Sequence, residues 1–403
     1  MYRLIFYATI PVIFLYPHAL FYQGYWNYIY ILFCFFFFLL TRVNGKISFN
    51  YTAVKFFGGI FFVNLLANII SLSLGYIDVE IFAQGNIVQL CNLLLSIVIC
   101  NTKKYINSWF KVFYWTIIVV VFLIFIDGLF SPVWLDKIYH AKSNLEYANT
   151  QYYRATGSLL SPNMAGFFSA MLVFYFFVKI KYKSIHKYEY IFLLISVFAL
   201  IMTASRTAML GLFIVYIFYS IKEGINLKWI AVAFMLFGII IYWGGDLLGN
   251  YFENLSYRNE QFEKGYFAGT GRLVTILSAL KYKFDFRCLF FGIGSGEYSV
   301  VESTSFSLAH NGFLSIFLPF GILGLMLYYY VFYKEIKFYY QKKNNSRYFI
   351  QEYSFFVYLF IVFTLGTFIT ADTSVNFYWL FLFVCISSFV DCYKSEISVK
   401  AKI

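Results

Sequence analysis

The chain has 403 residues, of which 61% are hydrophobic and 12% charged, with 53 Phe and 38 Tyr. Soluble domains carry about 25% charged residues, so this composition speaks against a water-soluble core and for a polytopic membrane protein. The net charge of +12 invites a nucleic-acid partner, but the placement of the basic residues speaks against one.

A helical span needs about 20 apolar residues. Apolar runs predict an all-α fold of about twelve membrane-spanning helices, roughly over 4–22, 26–41, 55–75, 87–101, 109–127, 159–178, 188–204, 207–221, 228–244, 309–332, 353–371 and 375–391. The runs at 26–41 and 87–101 are short, and the pair at 188–221 is almost continuous. Long runs rather than alternation make a closed β-barrel implausible. The first run follows Arg3, contains Pro11, Pro17 and His18, and lacks a small-x-small cleavage pattern. It reads as a retained span rather than a signal peptide. With no internal repeat, residues 1–403 form one membrane domain. Its two large connections are a smaller loop at 128–158 and a large loop at 245–308.

Basic residues concentrate on alternate connections: Arg42, Lys46 and Lys55; Lys103, Lys104 and Lys111; Lys179, Lys181, Lys183 and Lys187; Lys334, Lys337, Lys342, Lys343 and Arg347. By the positive-inside rule these connections and both termini are cytoplasmic. The two large loops and the turn at Ser205-Arg206 then share the outer face, and the net charge is mainly a topology signal. Five of the six cysteines lie in or beside apolar runs, leaving only Cys288 in the large loop, and no CxxC spacing suggests a metal site.

Polar residues that interrupt this pattern are the candidates for chemistry. Tyr153-Arg154-Ala155-Thr156-Gly157 and Ser161-Pro162-Asn163 stand where the 128–158 loop meets the sixth span. Arg154 and Asn163 suit phosphate or sugar oxygens; an interfacial arginine anchor beside an ordinary turn is the alternative. Arg206, in Thr203-Ala204-Ser205-Arg206-Thr207, breaks a nearly unbroken apolar run. An intramembrane charge points to function by default, against a charge that marks the turn and snorkels to the headgroups.

Gly269-Thr270-Gly271-Arg272 precedes Leu273, Ile276, Leu277, Leu280 and Phe284 at helical spacing. This predicts a short amphipathic helix in the membrane interface, with Thr270 or Gly271 near its start. Free N–H groups there and the Arg272 guanidinium suit a pyrophosphate; a glycine-rich turn before an interfacial helix is the alternative. Gly292-Ile293-Gly294-Ser295-Gly296 lacks the βαβ context of a dinucleotide loop and reads as a flexible turn that permits close backbone packing. Glu297 and Glu302 follow, as a general base or sugar ligand or as solvated loop charges. His310 opens the tenth span beside Asn311, and its imidazole suits an acceptor hydroxyl or a phosphate, or a structural role. Gly321 and Gly324 on that span are small residues that allow close helix packing.

Taken in this order, Arg154-x-x-Gly157 with Ser161-Pro162-Asn163, Ser205-Arg206, Gly269-Thr270-Gly271-Arg272, Gly292-x-Gly294, His310-Asn311 and Gly321-x-x-Gly324 resemble the O-antigen polymerase and O-antigen ligase superfamily. The resemblance covers residues 150–330. It implies a GT-C-like helical fold in the bacterial inner membrane, with its active site facing the periplasm or the outside. It implies metal-independent glycosyl transfer without a cofactor. The donor is an oligosaccharide on undecaprenyl pyrophosphate, and the acceptor is another lipid-linked repeat unit for a polymerase or lipid A core for a ligase. Membrane lipids, and for a polymerase a chain-length regulator, are further partners. By resemblance Arg206 and Arg272 neutralise the leaving pyrophosphate, Arg154 assists or binds glycan, and His310 orients or deprotonates the acceptor. Asn163, Thr270, Gly271, Asn311 and Glu297 complete the substrate-binding set. His310-Asn311 looks like the ligases; the divergent sequence favours a polymerase. A transporter of the same units is the reading from another class, and it predicts mid-membrane charges and repeated halves.

Overall fold

Apolar runs this long bury every backbone polar group only by coiling into helices, because lipid offers no hydrogen-bond partners. The computed structural model describes residues 7–8, 10–11, 15, 25–41, 47–102, 106–139, 154–159, 162–203, 205, 208–209, 211–216, 286–298 and 312–342. Among these residues every regular element is helical. The helices are α1 (Tyr25–Thr41), α2 (Thr52–Ser73), α3 (Val79–Asn101), α4 (Ile106–Phe130), α5 (Val133–Tyr139), α6 (Pro162–Lys181), α7 (Glu189–Met202), α8 (Phe286–Phe291) and α9 (Gly312–Lys342).

Thr52–Ser73, Val79–Asn101, Lys111–Phe130 and Pro162–Lys181 are long and apolar enough to cross a membrane; α1, α7 and α9 contain shorter apolar stretches. These helices correspond to the spans expected at 26–41, 55–75, 87–101, 109–127, 159–178, 188–204 and 309–332. The spans expected at 228–244, 353–371 and 375–391 lie outside the described residues.

One boundary differs clearly from the hydropathy reading. Helix α3 starts at Val79 rather than near 87, because Asp78 caps it and accepts from the Ile81 N–H at 2.8 Å. Its first two turns carry Glu80, Gln84 and Asn86, whose polarity hid them from a search for apolar runs.

Helix α6 is the centre of the assembly. Its residues from Met164 to Phe176 are buried without exception, so it is enclosed by protein on all sides. It packs on α7 and α4, α4 packs on α7, α3 packs on α1 and α2, and α9 on α2. Small residues make the closest of these approaches. A Cβ at Gly166 would lie 2.6 Å from the Ser205 Cβ, and one at Gly128 would lie within 3 Å of three Met202 side-chain atoms.

Two polar clusters mark opposite ends of α6 and α7. At the lysine-rich end, the buried Glu189 carboxylate pairs with Lys179, accepts from Tyr114 at 3.1 Å, and accepts from the N–H of His186, just before α7, at 2.8 Å. The other end holds the candidate site.

Candidate functional site

The site is built on the turn at residues 154–159, all of which are buried. This turn lies against the C-terminal ends of α4 and α7 and leads into α6. On the α4 side, Asp127 Oδ2 accepts from the N–H groups of Thr156 at 2.8 Å and Gly157 at 3.0 Å. On the α7 side, the Ala155 N–H donates to the Met202 carbonyl at 3.1 Å. Gly157 has φ +60, and a Cβ there would stand 2.7 Å from the Ile124 backbone nitrogen. The position therefore requires glycine, both for its left-handed backbone and for the approach to α4.

The Arg154 side chain continues this latch. Its Nε donates to the Thr203 carbonyl at 2.9 Å, and Nη2 donates to Asn163 Oδ1 at 3.2 Å. Asn163 Oδ1 also accepts from the Ser205 hydroxyl at 3.3 Å. Ser205 in turn precedes the helical residues 208–209 and 211–216, accepting from the Ala208 N–H at its hydroxyl and from the Met209 N–H at its carbonyl. Two stretches that the sequence singles out separately, Arg154–Asn163 and Thr203–Ser205, thus form one knot.

Arg154 is 7% exposed. A guanidinium enclosed by protein and bonded to a backbone carbonyl is not an arginine that snorkels to the headgroups, so the interfacial-anchor alternative does not describe it. Its planar fork instead holds the start of α6 to the end of α7, directly before the position of Arg206.

A second structured element is a helical hairpin from Phe286 to Tyr298, in which α8 and a short helical stretch at 294–298 are joined at Gly292-Ile293. It inserts between α2 and α3 on one side and α9 on the other. Asn64 Oδ1 accepts from the Ser295 N–H at 2.9 Å and Asn68 Oδ1 from the Gly296 N–H at 3.2 Å. Ser71 donates to the Ile293 carbonyl at 2.9 Å, and Ser295 to the Gly85 carbonyl at 2.9 Å. On the other side, the Ile293 N–H donates to the Leu318 carbonyl at 2.8 Å, where α9 is broken by the non-helical Gly321 after Pro319. Gly292 and Gly321 face each other so closely that a Cβ on either would strike the opposing backbone at about 2.3 or 2.4 Å. Close backbone packing is therefore what Gly292, Gly294 and Gly321 provide, as their spacing suggests. The segment is clamped on both sides rather than loose.

Glu297, at the hairpin's end, is buried, with 4% of its surface exposed. It is not a solvated loop charge, because the hairpin carries it inward between the helices. Within the 128–158 loop, Tyr139 donates to the Leu15 carbonyl at 3.3 Å, and burial pushes its hydroxyl above the usual tyrosine range. Arg206, Thr270, Gly271, Arg272, Glu302, His310 and Asn311 lie outside the described residues.

Sequence reasoning missed Asp127, Asn64 and Asn68. The signal for Asp127 was available, since a lone acid in an apolar run deserves the same suspicion as Arg206. Asn64, Asn68 and Ser71 sit at helical spacing on one face of an apolar helix, which marks a buried polar contact.

No curated protein matches the chain. The model of the O-antigen ligase family matches residues 191–329, a range that begins in α7, takes in the hairpin and ends in α9. The match supports an enzyme of the O-antigen ligase or polymerase type, glycosyltransferase-like, in a multi-pass membrane protein and with substrates of the lipid-linked oligosaccharide class. Residues 191–329 are thus similar to the O-antigen ligase family, in agreement with the resemblance to the O-antigen polymerase and ligase superfamily that the motifs carry.

Proposed function

We propose that the chain is a repeat-unit polymerase for O-antigen or capsular polysaccharide, working without a metal on the outer face of the bacterial inner membrane. The donor is a glycan on undecaprenyl pyrophosphate. The terminal sugar of a second lipid-linked unit attacks the donor's anomeric carbon through a hydroxyl oxygen. The new C–O bond forms as the bond to pyrophosphate breaks; the hydroxyl proton is lost, and the pyrophosphate leaves on its lipid. Arg206 and Arg272 meet the charge that builds on the leaving group, as preorganised cations do in a site that excludes water. His310 orients or deprotonates the acceptor hydroxyl. Thr270 and Gly271 offer backbone N–H groups to the pyrophosphate, and Asn163, Asn311 and Glu297 contact glycan. Arg154 assists by fixing the turn that precedes Arg206.

The observation that supports this reading is the bonding of Arg154 to both Thr203 and Asn163. It ties two of the chain's three candidate arginine stretches to one end of the helix assembly. Purified protein reconstituted with defined lipid-linked repeat units tests it. Longer glycan chains without added nucleotide are the expected result. Transfer to lipid A core alone makes the protein a ligase, the reading that the matched family's own description favours. Bilayer translocation without transfer makes it a transporter.

A further inference from the structure

Asp127 is 1% exposed, near the C-terminal end of a helix long and apolar enough to cross a membrane. A carboxylate that merely ended the helix would face water or headgroups, because burying one unpaired is costly. This one points inward and spends a single oxygen on two consecutive backbone N–H groups, those of Thr156 and Gly157. Successive N–H groups converging on one anion form a nest, and a charged acceptor strengthens both bonds. Thr156 is two residues beyond Arg154, so the carboxylate fixes the segment from which the guanidinium reaches Thr203 and Asn163. Gly157 closes the same turn against Ile124, three residues before Asp127 on α4.

We propose that Asp127 is a positioning residue for glycosyl transfer. It holds the 154–159 turn so that Arg154 locks the approach to Arg206. It does not touch substrate, since its Oδ2 is occupied by backbone and its side chain is enclosed. The proposal rests on the polymerase reading and adds to the machinery a residue of α4, a helix that lies outside the matched region.

The test uses the full chain in lipid nanodiscs, with Asp127→Ala, Asp127→Asn and Asp127→Glu compared on two readouts. One is hydrogen exchange in the peptide that covers residues 154–159. The other is chain extension on lipid-linked repeat units, analysed as kcat against KM. Asp127→Ala should expose the Thr156 and Gly157 amides to exchange and lower kcat at least about tenfold with donor KM little changed, as misplaced catalytic groups do. Asp127→Asn keeps an acceptor oxygen and should recover kcat to within about threefold. Asp127→Glu keeps the charge but shifts it by one methylene, so it should fall between the two; this variant carries the comparison where the alanine protein does not fold. Wild-type exchange and wild-type kcat in Ala and Glu overturn the proposal, as does an asparagine variant no better than alanine. If the wild-type protein extends no glycan, the polymerase reading fails by itself, and exchange at 154–159 alone decides whether Asp127 holds the turn.

Discussion

Asn163 and Ser205 stand 42 positions apart in the chain and are joined by a 3.3 Å hydrogen bond. The same Asn163 oxygen accepts from Arg154, so the start of α6 and the end of α7 meet through a three-residue polar junction. Hydroxyl, amide and guanidinium together cost little to bury because each finds a partner in the others.

Arg154→Ala should lower both stability and transfer. Bonds from a charged donor contribute about 1.5–3 kcal/mol each, and the change leaves a buried carbonyl at Thr203 without this donor. Arg154→Lys keeps the charge but not the fork, and should restore only part of the loss. Thermal unfolding in nanodiscs, run beside the extension assay, measures both. A lysine variant equal to wild type in each would show that geometry at Arg154 is unimportant.

Arg206→Ala and Arg272→Ala should each abolish chain growth while expression and membrane insertion persist. The readout is the polysaccharide ladder of a complemented deletion strain, with immunoblotting for protein level. Wild-type chain length in both variants removes these arginines from the mechanism.

Gly157→Ala should destabilise the protein by about 1–3 kcal/mol, because alanine resists a φ of +60 and its methyl meets α4 backbone. The loss should appear as a lower melting temperature and as faster exchange at 154–159. Gly75 has a similarly positive φ of +73 but open space around it, so Gly75→Ala is the control for backbone strain alone.

Lys179→Met should be severely destabilising, by about 3–5 kcal/mol, since it strands the Glu189 carboxylate where it is 3% exposed. Glu189→Gln should cost less than Lys179→Met, because it strands no buried carboxylate, although its one amide oxygen replaces only one of the two that serve Tyr114 and the His186 N–H. The double change Lys179→Met with Glu189→Met should recover stability relative to Lys179→Met alone. Denaturation midpoints of these proteins in one detergent provide the comparison. A double variant less stable than either single one argues for a pair that is net stabilising.

Much of the helical architecture was legible in the sequence because lipid leaves the backbone so few options. Runs such as 55–75 and 159–178 announced α2 and α6 within a few residues. Hydropathy failed at α3, where Asp78, Glu80 and Asn86 extend a helix through polar positions, the first two exposed and the third half-buried. It also left Glu297 between a functional carboxylate and a solvated loop charge, since burial inside a hairpin depends on partners more than 200 positions away, such as Asn64 for Ser295 and Asn68 for Gly296. Arg154 and Asn163 were recognisable as polar residues at a span boundary. Their bond to each other and to the Thr203–Ser205 turn was not, because a sequence shows which groups need acceptors but not which distant carbonyl supplies one.

The grip of Asn64 and Asn68 on the glycine hairpin has a consequence for exchanging parts between relatives. The hairpin belongs to the matched region, whereas the asparagines that hold it are encoded more than a hundred residues upstream of that region. A chimaera that joins a foreign amino-terminal half to this carboxy-terminal half would have to bring matching amide side chains on its second helix, or the hairpin would lose its seat. Divergence in the amino-terminal helices is therefore constrained at a few interior positions, however freely their lipid-facing surfaces change.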